Sequence, residues 1–238
     1  GIDVAVVDSW IDRMWELGRD SQAVCAWNTP GPLEVRNNYL EASGENILLG
    51  GAVSLTGTTP SDVIIDGNTV VKDPEWRNLP TQPQVKNLLE IKFGKRVSIT
   101  RNAFRFNWQH AQSGWSILFT TKSQIGTPQP WAVIEDVTFE GNIIRDISSG
   151  VNIANDEGPV RNITIRHNVF DHLDRIVYGG DGRWLLLQPN TALGFEGIDI
   201  SHNTVLGVSG TAWGTIYGSQ QIVGLTMTHN VTDETKYG

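Results

Sequence analysis

Apolar and polar residues alternate through Val137-Thr138-Phe139-Glu140 and then give way to Gly141-Asn142, the pattern of a half-buried strand that ends in a turn. The phrase returns as Val35-Arg36-Asn37-Asn38, Ile65-Asp66-Gly67-Asn68, Ile99-Thr100-Arg101-Asn102, Ile165-Arg166-His167-Asn168, Ile200-Ser201-His202-Asn203 and Met227-Thr228-His229-Asn230. Val6-Val7-Asp8-Ser9 is a variant with Ser in place of Asn. A second apolar run follows each turn, as in Ile47-Leu48-Leu49, Leu88-Leu89-Glu90-Ile91, Ile117-Leu118-Phe119 and Leu185-Leu186-Leu187. The turns recur at spacings of 26 to 40 residues, which is the mark of a solenoid, because one such unit cannot bury its apolar face without neighbours. Two strands per repeat, no convincing helix between them and Gly or Asn at the corners predict an all-β, right-handed parallel β-helix of about eight coils, forming a single domain over 1–238.

Stacked coils place each ladder Asn about 4.8 Å above the last, where side-chain amides can bond to one another and to the turn backbone. The residue before it is Asp8, Asn37, Gly67, Arg101, Gly141, His167, His202 and His229 in successive coils. Gly, Asn, Asp and His are enriched at positive φ, so this column reads as a left-handed turn position. The three histidines are then expected to stack. Two of them could share a Zn²⁺, or the column could simply accept His at a turn. Coil 1 is ambiguous: Ser9 with Asp12 resembles a capping box, and Ile11, Met14 and Trp15 share a helical face, but the repeat spacing favours an ordinary coil.

The formal charge of −8, from 18 Lys and Arg against 26 Asp and Glu, argues against nucleic acid as a partner. No apolar run is long enough to span a membrane. The only cysteine, Cys25, excludes an internal disulfide and reads as a small buried hydrophobe in Ala23-Val24-Cys25-Ala26. The chain begins inside a strand and stops just after a ladder turn, so a fragment truncated at both ends is expected.

Candidate chemistry lies on the outer face of the second apolar run. If Leu89 and Ile91 point inward, Glu90 and Lys92 point out; Leu118 and Thr120 follow in the next coil with Lys122 at the strand end, then Asn152, Asn155 and Asp156. Lys92 and Lys122 are candidate bases, since a lysine beside other cations can have a lowered pKa, and Glu90 with Asp156 could hold Ca²⁺ through oxygen ligands. The plain alternative is a set of solvated surface charges. Proline-rich or glycine-rich excursions at 73–84, 123–130 and 173–183 are candidate groove walls. Trp76, Trp115 and Trp184, with Asn152, are candidate substrate contacts, because exposed indoles stack on sugar rings. Alternatively the tryptophans cap solenoid corners. His172, between Asp171 and Asp174, is a possible acid or base or a local turn partner.

The run from Asn87 to Phe104, Asn-Leu-Leu-Glu-Ile-Lys-Phe-Gly-Lys-Arg-Val-Ser-Ile-Thr-Arg-Asn-Ala-Phe, resembles the right-handed β-helix proteins of the pectate lyase-like superfamily, and the coil resemblance extends over nearly the whole chain. Members of the alginate lyase and chondroitinase B type place acidic Ca²⁺ ligands just before a catalytic Lys, with an Arg in the following coil. Glu90 and Lys92 resemble the first two elements; the next coil offers Thr120, Thr121 and Lys122 where the Arg would stand. The resemblance implies an extracellular or cell-surface bacterial protein that binds polysaccharide and could be a lyase acting on a uronate-type glycan. A non-enzymatic structural or adhesive solenoid, of the filament, adhesin or tail-spike kind, is the alternative on the same scaffold.

Overall fold

The structure is a computed structural model that describes residues 3–237. Three parallel sheets wind into a right-handed parallel β-helix of eight coils. The first sheet holds Val4–Val7, Leu33–Arg36, Ser61–Asp66, Gly94–Thr100, Ile134–Glu140, Val160–Arg166, Phe195–Ser201 and Val223–Thr228. The second holds Trp10–Met14, Tyr39–Ala42, Thr69–Val71, Ala103–Asn107, Ile143–Ile147, Val169–Leu173, Thr204–Val208 and Val231–Thr232. The third holds Val24–Ala26, Ile47–Leu49, Leu89–Ile91, Trp115–Thr120, Ser149–Ala154, Leu185–Gln188 and Gly214–Ile216. A coil thus has three strands, not the two expected. The unforeseen one starts directly after each ladder Asn, with no breaker to separate it from the turn. Coil 1 is an ordinary coil and forms no helix.

Alternation in the first sheet places Val35, Ile65, Ile99, Phe139, Ile165 and Ile200 in one inward column in register, each wholly buried. Such a column supplies most of the stabilisation, since burying each aliphatic or aromatic side chain contributes about 1.5–3 kcal/mol. Phe104, Phe119 and Phe139 meet at the centre, with ring centroids 5.9 and 6.2 Å apart.

The ladder forms between the first and second sheets. The backbone N–H and Nδ2 of Asn142 both donate to Oδ1 of Asn168, at 2.9 and 3.0 Å, while Nδ2 also donates to the Ile99 carbonyl at 3.0 Å. Asn38, Asn68, Asn102, Asn168 and Asn203 make the same three contacts. The preceding column is left-handed throughout, with φ between 50° and 67° from Asp8 to His229. His167, His202 and His229 stack at centroid separations of 5.0 and 4.8 Å.

The loops leave at two corners. Residues 73–84 and 173–183 connect the second sheet to the third, whereas 123–130 connects the third to the first. The first carries a short 3-10 helix, Pro74–Asn78, and the second a single helical turn, Arg175–Tyr178. Among the described residues no helix is long and apolar enough to cross a membrane.

Candidate functional site

The outer face of the third sheet carries one column in register: Cys25, Leu48, Glu90, Leu118, Asn152 and Leu186. Glu90 and Asn152 therefore point out of the core, as alternation required. Cys25 belongs to the same column and is exposed, correcting its expected burial; the flanking Val24 takes the inward position.

Glu90 leaves the core only to enter a crease at the corner between the second and third sheets, where it is 4% exposed. Its Oε2 accepts from Asn87 Nδ2 at 3.3 Å, and Lys92 Nζ lies 3.8 Å from Oε1. Burial pushes this carboxyl up, to about 7; Lys92 pulls it down, and the neighbouring Glu45 carboxyl raises it again. Glu45 is wholly buried, with Oε2 accepting from Gln22 Nε2 at 2.9 Å and Oε1 from Lys86 Nζ at 3.1 Å. Burial alone would raise Glu45, but the Gln22 amide and the Lys86 ammonium outweigh it and hold its carboxyl down, to about 2. Lys86 also donates to Asp20. The crease is a closed exchange of charge among Asp20, Glu45, Lys86, Glu90 and Lys92.

Beneath it, Lys72 is completely buried. Its Nζ donates to the carbonyls of Ala42, Ser43 and Gly44 at 3.1, 3.1 and 2.6 Å and to Asn46 Oδ1 at 2.8 Å. Four oxygens converge on the ammonium as they would on a bound cation, and this fixes the backbone that positions Glu45. Sequence reasoning passed over Lys72 because it follows a short apolar strand, Thr69–Val71, and stands beside Asp73 like an ordinary solvated pair at the start of a loop.

The other expected site residues do not join this cluster. Asp156 lies beyond the end of Ser149–Ala154, two strand steps across the sheet from Glu90 and four residues past Asn152. Ordinary strand geometry makes that separation on the order of 16 Å, too far for shared coordination of Ca²⁺. Asp156 instead accepts from Asn190 Nδ2 at 2.6 Å. That separation does not fit the expected Ca²⁺ pair, and among the described residues no three His, Cys, Asp or Glu side chains converge as a metal site. Lys122 is exposed at the far corner, past Thr120 and the buried Thr121. Asn152 is half-buried, with its Oδ1 enclosed and unpaired.

The tryptophans are a second correction. Trp76, Trp115 and Trp184 are 4%, 3% and 0% exposed and offer no open ring face. Trp184 packs on Phe170 and Trp213 over the core, with centroids 5.9 Å away in each case. Trp76 and Trp108 form a satellite cluster with Val85 beneath the long corner loops. They cap corners, the alternative weighed for them. His172 pairs through Nδ1 with Asp146 Oδ1 at 2.8 Å, a contact across coils, and its Nε2 lies 3.7 Å from Asp174.

No family model and no curated protein matches the sequence. Among solved structures, the chain is similar to the Streptococcus pneumoniae surface protein and adhesin PfbA, at 13% identity and a TM-score of 0.51, over 98% of this chain and 66% of that one. A second structure of PfbA, described as a surface adhesin of the same organism, aligns at 11% identity and a TM-score of 0.48, over 98% and 62% of the two chains. The likeness is one of fold. The chain spans about two thirds of the length of these structures.

Proposed function

We propose that this chain is the β-helical part of a bacterial cell-surface adhesive protein that holds a polysaccharide along its flank without cleaving it. The observation that carries this reading is that the carboxyls of the crease are already engaged by their own neighbours, Glu45 by Gln22 and Lys86 and Glu90 by Asn87 and Lys92. Glycoside hydrolysis needs two carboxyls separated by roughly 5 Å for retention or about 6.5–9.5 Å for inversion, so that a sugar carbon, or a sugar and a water, fits between them. Both oxygens of Glu45 are taken, by Gln22 and Lys86, and both glutamates are buried, so they do not face an open gap of that kind. The lyase reading, with Lys92 or Lys122 as base beside a Glu90 and Asp156 metal pair, loses support because these acids are far apart. The fold likeness to a protein described as a surface adhesin supports display over chemistry. In this reading the scaffold is of the pectate lyase-like kind, used to present a surface.

The test combines retention on immobilised polysaccharides, acidic and neutral, with assays for unsaturated ends and reducing sugar, each with and without Ca²⁺. Retention with no new chain ends is the expected result. Unsaturated product that disappears in Lys92→Ala would overturn the proposal, as would failure to bind any polysaccharide.

A further inference from the structure

The outer face of the first sheet carries a depression of about 540 Å³, well away from the third-sheet crease. Its bed is Ile64 beside Ser98, paired across neighbouring strands. Along its rim, consecutive strands present Arg36, Asp66, Thr100 and Glu140 in register. The turn column closes it, and there glycine matters: Gly67 and Gly141 flank Arg101 and carry no side chain, so Arg101 stands alone above the depression, its side chain 73% exposed. A Cβ at Gly67 would meet nothing within 4 Å, so the opening is real space.

The centre of the arrangement is Asp66, only 8% exposed. Its Oδ1 accepts from Thr100 Oγ1 at 2.7 Å and Arg101 Nε at 3.0 Å; its Oδ2 accepts from Arg101 Nη2 at 2.5 Å and Arg36 Nη1 at 3.3 Å. Arg101 and Thr100 hold this carboxyl below the usual carboxylate range. One carboxylate therefore pins two guanidiniums. Glu34 takes Arg36 Nε at 3.1 Å, which leaves Arg36 Nη2 and Arg101 Nη1 outside these bonds, on two arginines that both line the depression. Fixed guanidinium planes with spare paired donors suit a carboxylate, which they can hold through two parallel hydrogen bonds. The opposite wall differs: Glu140 offers acceptor oxygens, although Arg166 takes Oε2 at 2.9 Å, and His167 adds a ring nitrogen. Those groups suit hydroxyls and would repel a second anion.

We infer that this depression binds one carboxylate-bearing sugar of an acidic polysaccharide, with the carboxylate on Arg36 and Arg101 and ring hydroxyls toward Glu140 and His167. The inference rests on the adhesive reading above and names its ligand class and site. Ile64 supplies an aliphatic bed for the C–H face of the ring, and the strands of the first sheet offer the neighbouring sugars a continuous polar track.

Calorimetric titration with tetragalacturonate tests it, with the fully methyl-esterified oligomer as the neutral comparator and a sulfated disaccharide as the second anion. Wild type should bind the acid form, more weakly at high salt. Arg101→Ala and Arg36→Ala should each weaken binding about tenfold or more, and Arg101→Lys should lose nearly as much, because an ammonium keeps the charge without the paired donors. Arg161→Ala, which breaks a distant first-sheet pair with Glu196, should bind as wild type. Melting curves of all four variants show whether each is folded, and Arg101→Lys remains informative if an alanine variant is not. Equal binding of the esterified oligomer, tighter binding of the sulfated sugar, or unchanged affinity in both arginine variants would overturn the inference while leaving the adhesive reading in place. Failure to bind any polysaccharide would overturn both.

Discussion

The carboxyl of Glu90 lies beside that of Glu45 in a crease where burial opposes two negative charges. The pair divides its protonation unequally, with Glu45 ionised by Lys86 and Gln22 and Glu90 holding its proton far longer than an ordinary glutamate. A raised folded-state value means that the folded chain carries more protons than the unfolded one between the ordinary Glu value of 4.5 and about 7. Its stabilising contribution is complete below that window and is lost as pH rises through it. Glu45 has the opposite sign, with stability lost as pH falls from 4.5 toward about 2. Wild type should therefore lose stability from pH 4.5 to 7 by an amount on the order of 3 kcal/mol, and Glu90→Gln should flatten that limb. Urea unfolding across the window checks this; identical slopes in the two proteins would refute the raised Glu90 carboxyl.

Removing a rung from the middle of the ladder should cost more than removing its last one. Asn142→Ala deletes the Asn168 and Ile99 contacts and leaves Asn102 without its Oδ1 acceptor. Unsatisfied buried groups of this kind cost about 1–3 kcal/mol each, so a total loss of roughly 3 kcal/mol or more is expected. Asn230 is only part-buried, and Asn230→Ala should cost less than half as much. Denaturant midpoints measured side by side would show the ranking.

Lys72→Met keeps most of the side-chain volume and removes the ammonium, leaving Ala42, Ser43, Gly44 and Asn46 oxygens without their donor. The expected loss is about 3 kcal/mol or more. Lys72→Ala should lose more but recover part of it in ammonium chloride and not in sodium chloride at equal ionic strength, because ammonium can donate to the same four oxygens. Equal melting temperatures in the two salts would show that the oxygens do not form a cation cage.

Gly158 has no positive-φ requirement, yet it should not accept even one methyl group. A Cβ there would lie 1.5 Å from the Ala132 carbonyl oxygen, which is backbone and cannot swing away. Gly158→Ala should destabilise by about 3 kcal/mol or more, at the upper end of overpacking penalties, measurable as a shift in thermal midpoint.

The first and third sheets, the ladder and the left-handed column were legible because each rests on a repeated local pattern. Val137 and Phe139 alternate with Thr138 and Glu140, and a Gly, Asn or His before the Asn names its own backbone conformation. Thr69–Val71 was not legible as a strand because three residues after a turn carry no period. A second left-handed column, Asp62, Arg96, Asp136, Asn162, Gly197 and Gly224, was also missed. Its polar members read as ordinary outward residues of an alternating strand. The site followed the same division. The outward direction of Glu90 came from alternation, but its depth came from Asp20, Gln22 and Glu45, which belong to other coils. The indoles were misjudged for the same reason, since Trp115 and Trp184 stand at strand starts whose exposure is decided by what the neighbouring coils place over them.

Because every ladder Asn offers the next coil the same donors and takes the same acceptor, a coil can be duplicated or deleted without changing what its neighbours meet. Length in such a rod is a nearly free variable. Lineages that gained or lost a coil would raise or lower the Arg36 and Arg101 patch by one strand spacing while keeping its orientation, so reach could be tuned separately from specificity.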